Sequence, residues 1–189
     1  MTRLLPLLLS VALLACGSSG PTAQTPVAKG EPIAAAAPEI PDASPSPWAP
    51  PPPTKTTGCT ARGPLPDPAC TPGAIETRDL AVICGESTRA RRHVPAAVHR
   101  AVFAAYGVPD PAPEGTTEVD HLIPLALGGS NDVANLWLES APGYQEKDRL
   151  EVALHRGVCA GRMPLAEAQR AIAEDWVGAA KRLQTRPEP

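Results

Sequence analysis

The stretch Glu118-Val119-Asp120-His121 sets a carboxylate beside an imidazole, and Asn135 follows fourteen residues after the histidine. An imidazole with an ordinary pKa of about 6.5 can take a proton from water near neutral pH, and a carboxylate can hold a hard divalent cation. Hydrolysis of a phosphodiester needs both: a water stripped of a proton, and positive charge beside the pentavalent phosphorus and the leaving oxygen. Asn135 can donate and accept through one amide, which suits it to pin a loop.

These residues must be positioned by the elements around them. Thr117 to Ile123 alternates enough to be a strand, Gly128-Gly129-Ser130-Asn131-Asp132 is a turn, and Asn135 to Leu138 is a second short strand. The pair forms a hairpin with a wide loop. Neighbouring strand residues point to opposite sides, so Asp120 and His121 diverge unless the strand ends or bulges there. A loop folded back over the strand end is one way to bring both to a single phosphate.

A helix is predicted from Tyr144 to Arg156, with Leu150, Ala153 and Leu154 on one face. A last helix runs from Leu165 to about Leu183 with Leu165, Ala168, Ile172, Trp176 and Ala179 as its apolar stripe. Before the hairpin, Ala96 to Tyr106 reads as a helix stopped by Gly107. Thr77 to Cys84 is a short helix or strand, and the Pro- and Gly-rich run from Cys59 to Thr77 is irregular. Trp137 and Trp176 read as core, His155 as structural, and His99 as facing solvent or an acidic partner.

The fold class is therefore α+β, in one domain over residues 58–189 with its core motif at about 117–156. That span holds 14 Lys and Arg against 17 Asp and Glu. A nucleic-acid binder usually has a basic excess, so any cationic footprint must be local. Arg89, Arg91, Arg92 and Arg100 are either a helix entrance paired with acids or an edge that touches phosphates, extended by Lys147 and Arg149.

The N-terminal part differs in composition. Residues 1–16 carry Arg3 and then an apolar run from Leu4 to Ala15, too short to span a bilayer, which needs about 20 residues. This is an export signal. Leu13-Leu14-Ala15-Cys16 resembles the lipobox of bacterial lipoproteins, which implies acylation at Cys16 and a membrane anchor, the alternative being an ordinary secreted protein in which Cys16 is incidental; Gly17 is compatible with outer-membrane sorting in a Gram-negative cell. Residues 17–57 hold eleven of the 25 prolines and read as a disordered Pro/Ala-rich stalk, on the order of 100 Å long if extended at about 3.1 Å per residue. In an exported chain Cys59, Cys70, Cys84 and Cys159 form two disulfides, with three connectivities open. Their spacings do not match the close C-x-x-C pairs of a zinc site.

Asp120-His121, Ile123-Pro124-Leu125, Gly128-Gly129, Asn135-Leu136 and Lys147 together resemble the HNH endonucleases of the ββα-metal fold. The wider chain is similar to a group of small exported bacterial proteins that carry this module, through Cys70-Thr71-Pro72-Gly73-Ala74, Arg92-His93-Val94-Pro95, Lys147-Asp148-Arg149-Leu150-Glu151, Ala168-Gln169 and Asp175-Trp176. The resemblance implies His121 as general base, Asp120 as a metal ligand, and Asn135 as the residue that holds the loop and orients the base. It implies one divalent ion, Mg²⁺ or Mn²⁺. Family members usually place a His or Asn ligand where this chain has Tyr144. Asp148, four residues on and on the same helical face, is the candidate replacement; a two-ligand site or no metal are the alternatives.

The expectation is thus a disulfide-braced, lipid-anchored endonuclease at the periplasmic or outer-membrane face, a monomer, cutting DNA or alternatively RNA. Arg92, Lys147 and Arg149 would contact the substrate backbone. The competing expectation is a catalytically lapsed module of the same fold with a binding or structural role.

Overall fold

The computed structural model describes residues 48–112, 117–140 and 143–184. The signal, Cys16 and most of the proposed stalk lie outside the described residues. Within them the chain is α+β: α1 (Leu80–Gly85), α2 (Ala96–Tyr106), β1 (Thr117–His121), β2 (Leu136–Ser140), α3 (Gly143–Cys159) and α4 (Leu165–Gln184). Among the described residues no helix is long and apolar enough to cross a membrane.

The strands form a two-stranded antiparallel sheet with Thr117 opposite Ser140 and His121 opposite Leu136. In this register Val119, Leu136 and Leu138 share a face, and they pack with Val102 and Phe103 of α2. Glu118, Asp120, Trp137 and Glu139 share the other face, toward α3. β1 ends two residues earlier than the sequence suggested. Beyond His121 the amide of Leu122 donates to Asn135 O at 2.8 Å, and Leu122, Ile123 and Leu127 turn into the main core.

That core joins the loop to α3 through Leu150, Leu154 and Val158, and to α4 through Ala168, Ile172 and Trp176. Each fully buried Leu or Ile there contributes about 2 kcal/mol. Gly107 stops α2 with φ 65°, as its position implied. α4 is not one unbroken helix. Asp175 leaves helical geometry, and its carboxylate accepts from Gly178 N at 2.9 Å, restarting the helix as an N-cap does.

The disulfides are Cys59–Cys70 and Cys84–Cys159. The second ties α1 to the end of α3 across a separation of 75 residues. On the chain-entropy account such a link stabilises by about 4 kcal/mol and the shorter one by about 3.

Residues 48–57, expected as the end of the stalk, lie on the domain instead. Trp48 packs against the main core and its carbonyl accepts from Arg78. Thr54 N and Lys55 N both donate to Ala69 O, and Lys55 Nζ reaches Asp67 at 3.0 Å. A Pro-rich run leaves its remaining backbone amides unpaired by local structure, and here Ala69 takes two of them.

Candidate functional site

The loop between the strands is held by one side chain. Asn135 is 0% exposed. Its Oδ1 accepts from Ile123 N at 2.9 Å and Ala74 N at 3.2 Å, and its Nδ2 donates to Ile123 O at 2.9 Å and Ser130 O at 2.8 Å. Every donor and acceptor position of the amide is used. The glycines serve the same clamp. A Cβ on Gly129 would sit 1.8 Å from Ile123 O, and one on Gly128, whose φ is +79°, would sit 2.1 Å from Thr77 O. Only glycine lets these backbones meet.

Asn135 holds the loop but does not touch His121. Asn131 does, with its Oδ1 2.8 Å from His121 Nε2. Asn131 Nδ2 donates to Arg91 O at 2.9 Å, which fixes the amide and leaves only its oxygen for the ring. Nε2 therefore carries the hydrogen, and Nδ1 keeps its lone pair. Burial holds the His121 pKa below the ordinary imidazole value; Lys147 and Arg92 push the same way, while the Asn131 bond and Asp120 oppose them. The ring is neutral at pH 7. In sequence Asn131 looks like an ordinary turn residue, and no spacing rule separates it from its neighbours.

On the opposite face Asp120 Oδ2 accepts from Lys147 Nζ at 2.6 Å. The same ammonium donates to His121 O at 2.7 Å and Glu151 Oε1 at 2.5 Å. Those bonds use all three of its hydrogens. Lys147 is 1% exposed, so it is no substrate contact: it is an internal cation under β1. Burial opposes its charge, but the Asp120 and Glu151 carboxylates outweigh that and hold its pKa above the ordinary lysine value.

The acids around it are crowded. Glu139 is 1% exposed and neither of its oxygens meets a donor. Burial, and then the Asp120 carboxylate, push it up to about 9, so it is a neutral acid whose proton can go to Asp120. Burial likewise raises Glu151, with Lys147 opposing and Asp120 adding to the rise, to about 7. Glu118 is raised by burial and then by Asp120 and Asp148.

Among the described residues β1 pairs with β2 alone, and its residues Glu118 to His121 line a cleft of about 370 Å³ together with Arg92, Asp148 and Glu151 among others. This is how Asp120 and His121 share an opening although their side chains leave the strand on opposite faces. Asp148 and Arg92 join them there. Arg149 does not: it lines a different groove, with Gln145, Glu146 and Trp176, because one position along α3 rotates it away from Asp148. Tyr144 is half-buried in the first turn of α3.

A second constellation escaped the spacing rules. Cys84, His155 and Cys159 bring ligand atoms within 4.8 Å of one another, a group able to hold a metal, but its two cysteines are joined as cystine. Among the described residues it is the one group of three such side chains that close together. Compared with protein-family models, with curated proteins and with solved structures, the chain matches none.

Proposed function

We propose that the β1 cleft is the active site of a metal-dependent phosphodiester hydrolase of the HNH type, an endonuclease acting on DNA. One observation carries the proposal. His121, held through Nε2 by Asn131, lines one cleft together with two carboxylates, Asp120 and Asp148, and a guanidinium, Arg92.

His121 takes a proton at Nδ1 from water, and Asn131 keeps the ring from turning as charge develops on it. Arg92 faces the phosphate and offsets its charge. Lys147 fixes Asp120 and the backbone carbonyl of His121 together, so the base and its acidic neighbour move as one unit. The donors fit a hard divalent ion: acidic oxygens outnumber cations in the cleft, and Asp148 is exposed at its rim. Asp120 and Asp148 would hold Mg²⁺ or Mn²⁺ with water filling the other positions. The ion would supply positive charge beside the leaving oxygen. The proposed setting is extracytoplasmic, with an anchor at Cys16; the two disulfides agree with an oxidising compartment.

The test is plasmid cutting by the full chain with Mg²⁺ or Mn²⁺ against chelator, with RNA as a second substrate. His121→Ala should cut at least about 100-fold more slowly while keeping its fold. Because the base must be unprotonated, the rate should rise with pH through a pKa below the ordinary imidazole value. Metal-dependent cutting unchanged in His121→Ala would overturn the proposal. One feature favours the lapsed-module reading, namely that the Lys147 ammonium already sits on Asp120. A folded chain inert with every ion would establish that reading instead.

A further inference from the structure

We propose that Cys84, His155 and Cys159 are a second, redox-gated site, which takes a thiophilic divalent cation of the zinc class once the cystine is reduced. The site is remote in chemistry from the β1 cleft and does not rest on the function proposed for it. His155 and Cys159 lie four residues apart, on one face of α3, and Cys84 lies in the last turn of α1. His155 Nε2 is 3.5 Å from Cys159 Sγ. Tetrahedral zinc, with Zn–S of about 2.3 Å and Zn–N of about 2.0 Å, sets its sulfur and nitrogen ligands about 3.5 Å apart. The Cα atoms of the two cysteines are 5.5 Å apart, so opening the cystine requires side-chain rotation and little movement of either helix.

The chemistry balances with a dithiol as reductant. One of its thiolates bonds to a cystine sulfur as the Sγ–Sγ bond breaks and the other cysteine leaves as thiolate; the second reductant thiolate then displaces the first cysteine. The reductant departs as a cyclic disulfide, having lost two electrons, and Cys84 and Cys159 are left as thiols. Ion binding releases their two protons to solvent. His155 gives up its bond to Ile83 O, 3.0 Å from Nε2, carries its proton on Nδ1 and offers the Nε2 lone pair. Both cysteines are exposed, so a reductant reaches this cystine before Cys59–Cys70, which is buried, and the fourth position on the ion stays open to water. The link between α1 and α3 would then survive reduction, with a metal in place of a covalent bond.

Cobalt(II) alone is the probe, titrated into the full chain with and without dithiol. The reduced chain should take up one equivalent, with thiolate-to-cobalt charge-transfer absorption and tetrahedral ligand-field bands; the oxidised chain should show neither. His155→Ala should weaken uptake at least about tenfold. A variant with Cys16, Cys59 and Cys70 all changed to Ser should keep it. Should reduction unfold the chain, return of the helical circular-dichroism signal on adding cobalt supports the site, and its failure to return overturns it. No thiolate–cobalt absorption in the reduced chain, equal uptake by His155→Ala, or dependence on Cys16, Cys59 or Cys70 also overturns it.

Discussion

Asn135 and Glu139 stand four residues apart on the second arm of the hairpin, and both are buried, at 0% and 1% exposure. Their bonding is opposite. The asparagine makes four hydrogen bonds to three residues, Ala74, Ile123 and Ser130, while the glutamate has no donor at all and lies in a nest of other acids. A buried polar group with every position filled is scaffold, and its removal leaves several backbone groups unpaired. A buried acid with only a proton to give marks ground where negative charge is in excess, which is what a site for a cation requires.

The sharpest test of this contrast is Asn135→Ala. It orphans Ile123, Ala74 and Ser130 together, and should cost about 4 kcal/mol or more, read as a fall in the urea midpoint. A loss under about 1 kcal/mol would break the scaffold half of the comparison. Next is Lys147→Met, which removes the internal cation from Asp120 and Glu151; a loss of about 3 kcal/mol at pH 7 is expected, smaller at pH 5 where Glu151 is protonated. Denaturation at the two pH values checks both magnitude and trend.

The acidic half is tested through pH. Glu139 titrates at about 9 in the folded chain against 4.5 for an ordinary glutamate, so between those values the folded state holds a proton that the unfolded state has released. Its contribution is fully present below about pH 4.5 and is lost as pH rises toward 9. Glu139→Gln cannot ionise, so its stability should fall less steeply over that range than the parent's, with parallel curves counting against a neutral Glu139. The smallest effect is Glu139→Gln at pH 5, where parent and variant both present an uncharged donor to Asp120 and should agree within about 1 kcal/mol.

The helices were legible because their apolar residues recur at helical spacing: Ala168, Ile172, Trp176 and Ala179 are buried as the stripe required, and Leu165 at its start is half-buried. Of the cleft, Asp120, His121, Asp148 and Arg92 were legible from residue type and order, and the structure brings them to one opening. Lys147 was misplaced because lysine is usually solvated, and only the joint arrangement of Asp120 and Glu151 makes a buried one stable. The orienting role went to Asn131 instead of Asn135, since it depends on where Arg91 O lies. Gly128-Gly129 read as a turn, but what demands glycine there is the approach of Thr77 O and Ile123 O. Spacing could not choose the disulfide pairs, because pairing follows from how α1 meets α3.

The docking of residues 48–57 has a practical consequence for anyone trimming the chain. A protease that cuts after basic residues meets Lys55 with its own amide tied to Ala69 O and its ammonium tied to Asp67, so a nick there should be slow in the native state. A stable digestion product should begin before Trp48, and a fragment starting at Gly58 would forfeit an indole from the core together with that ion pair.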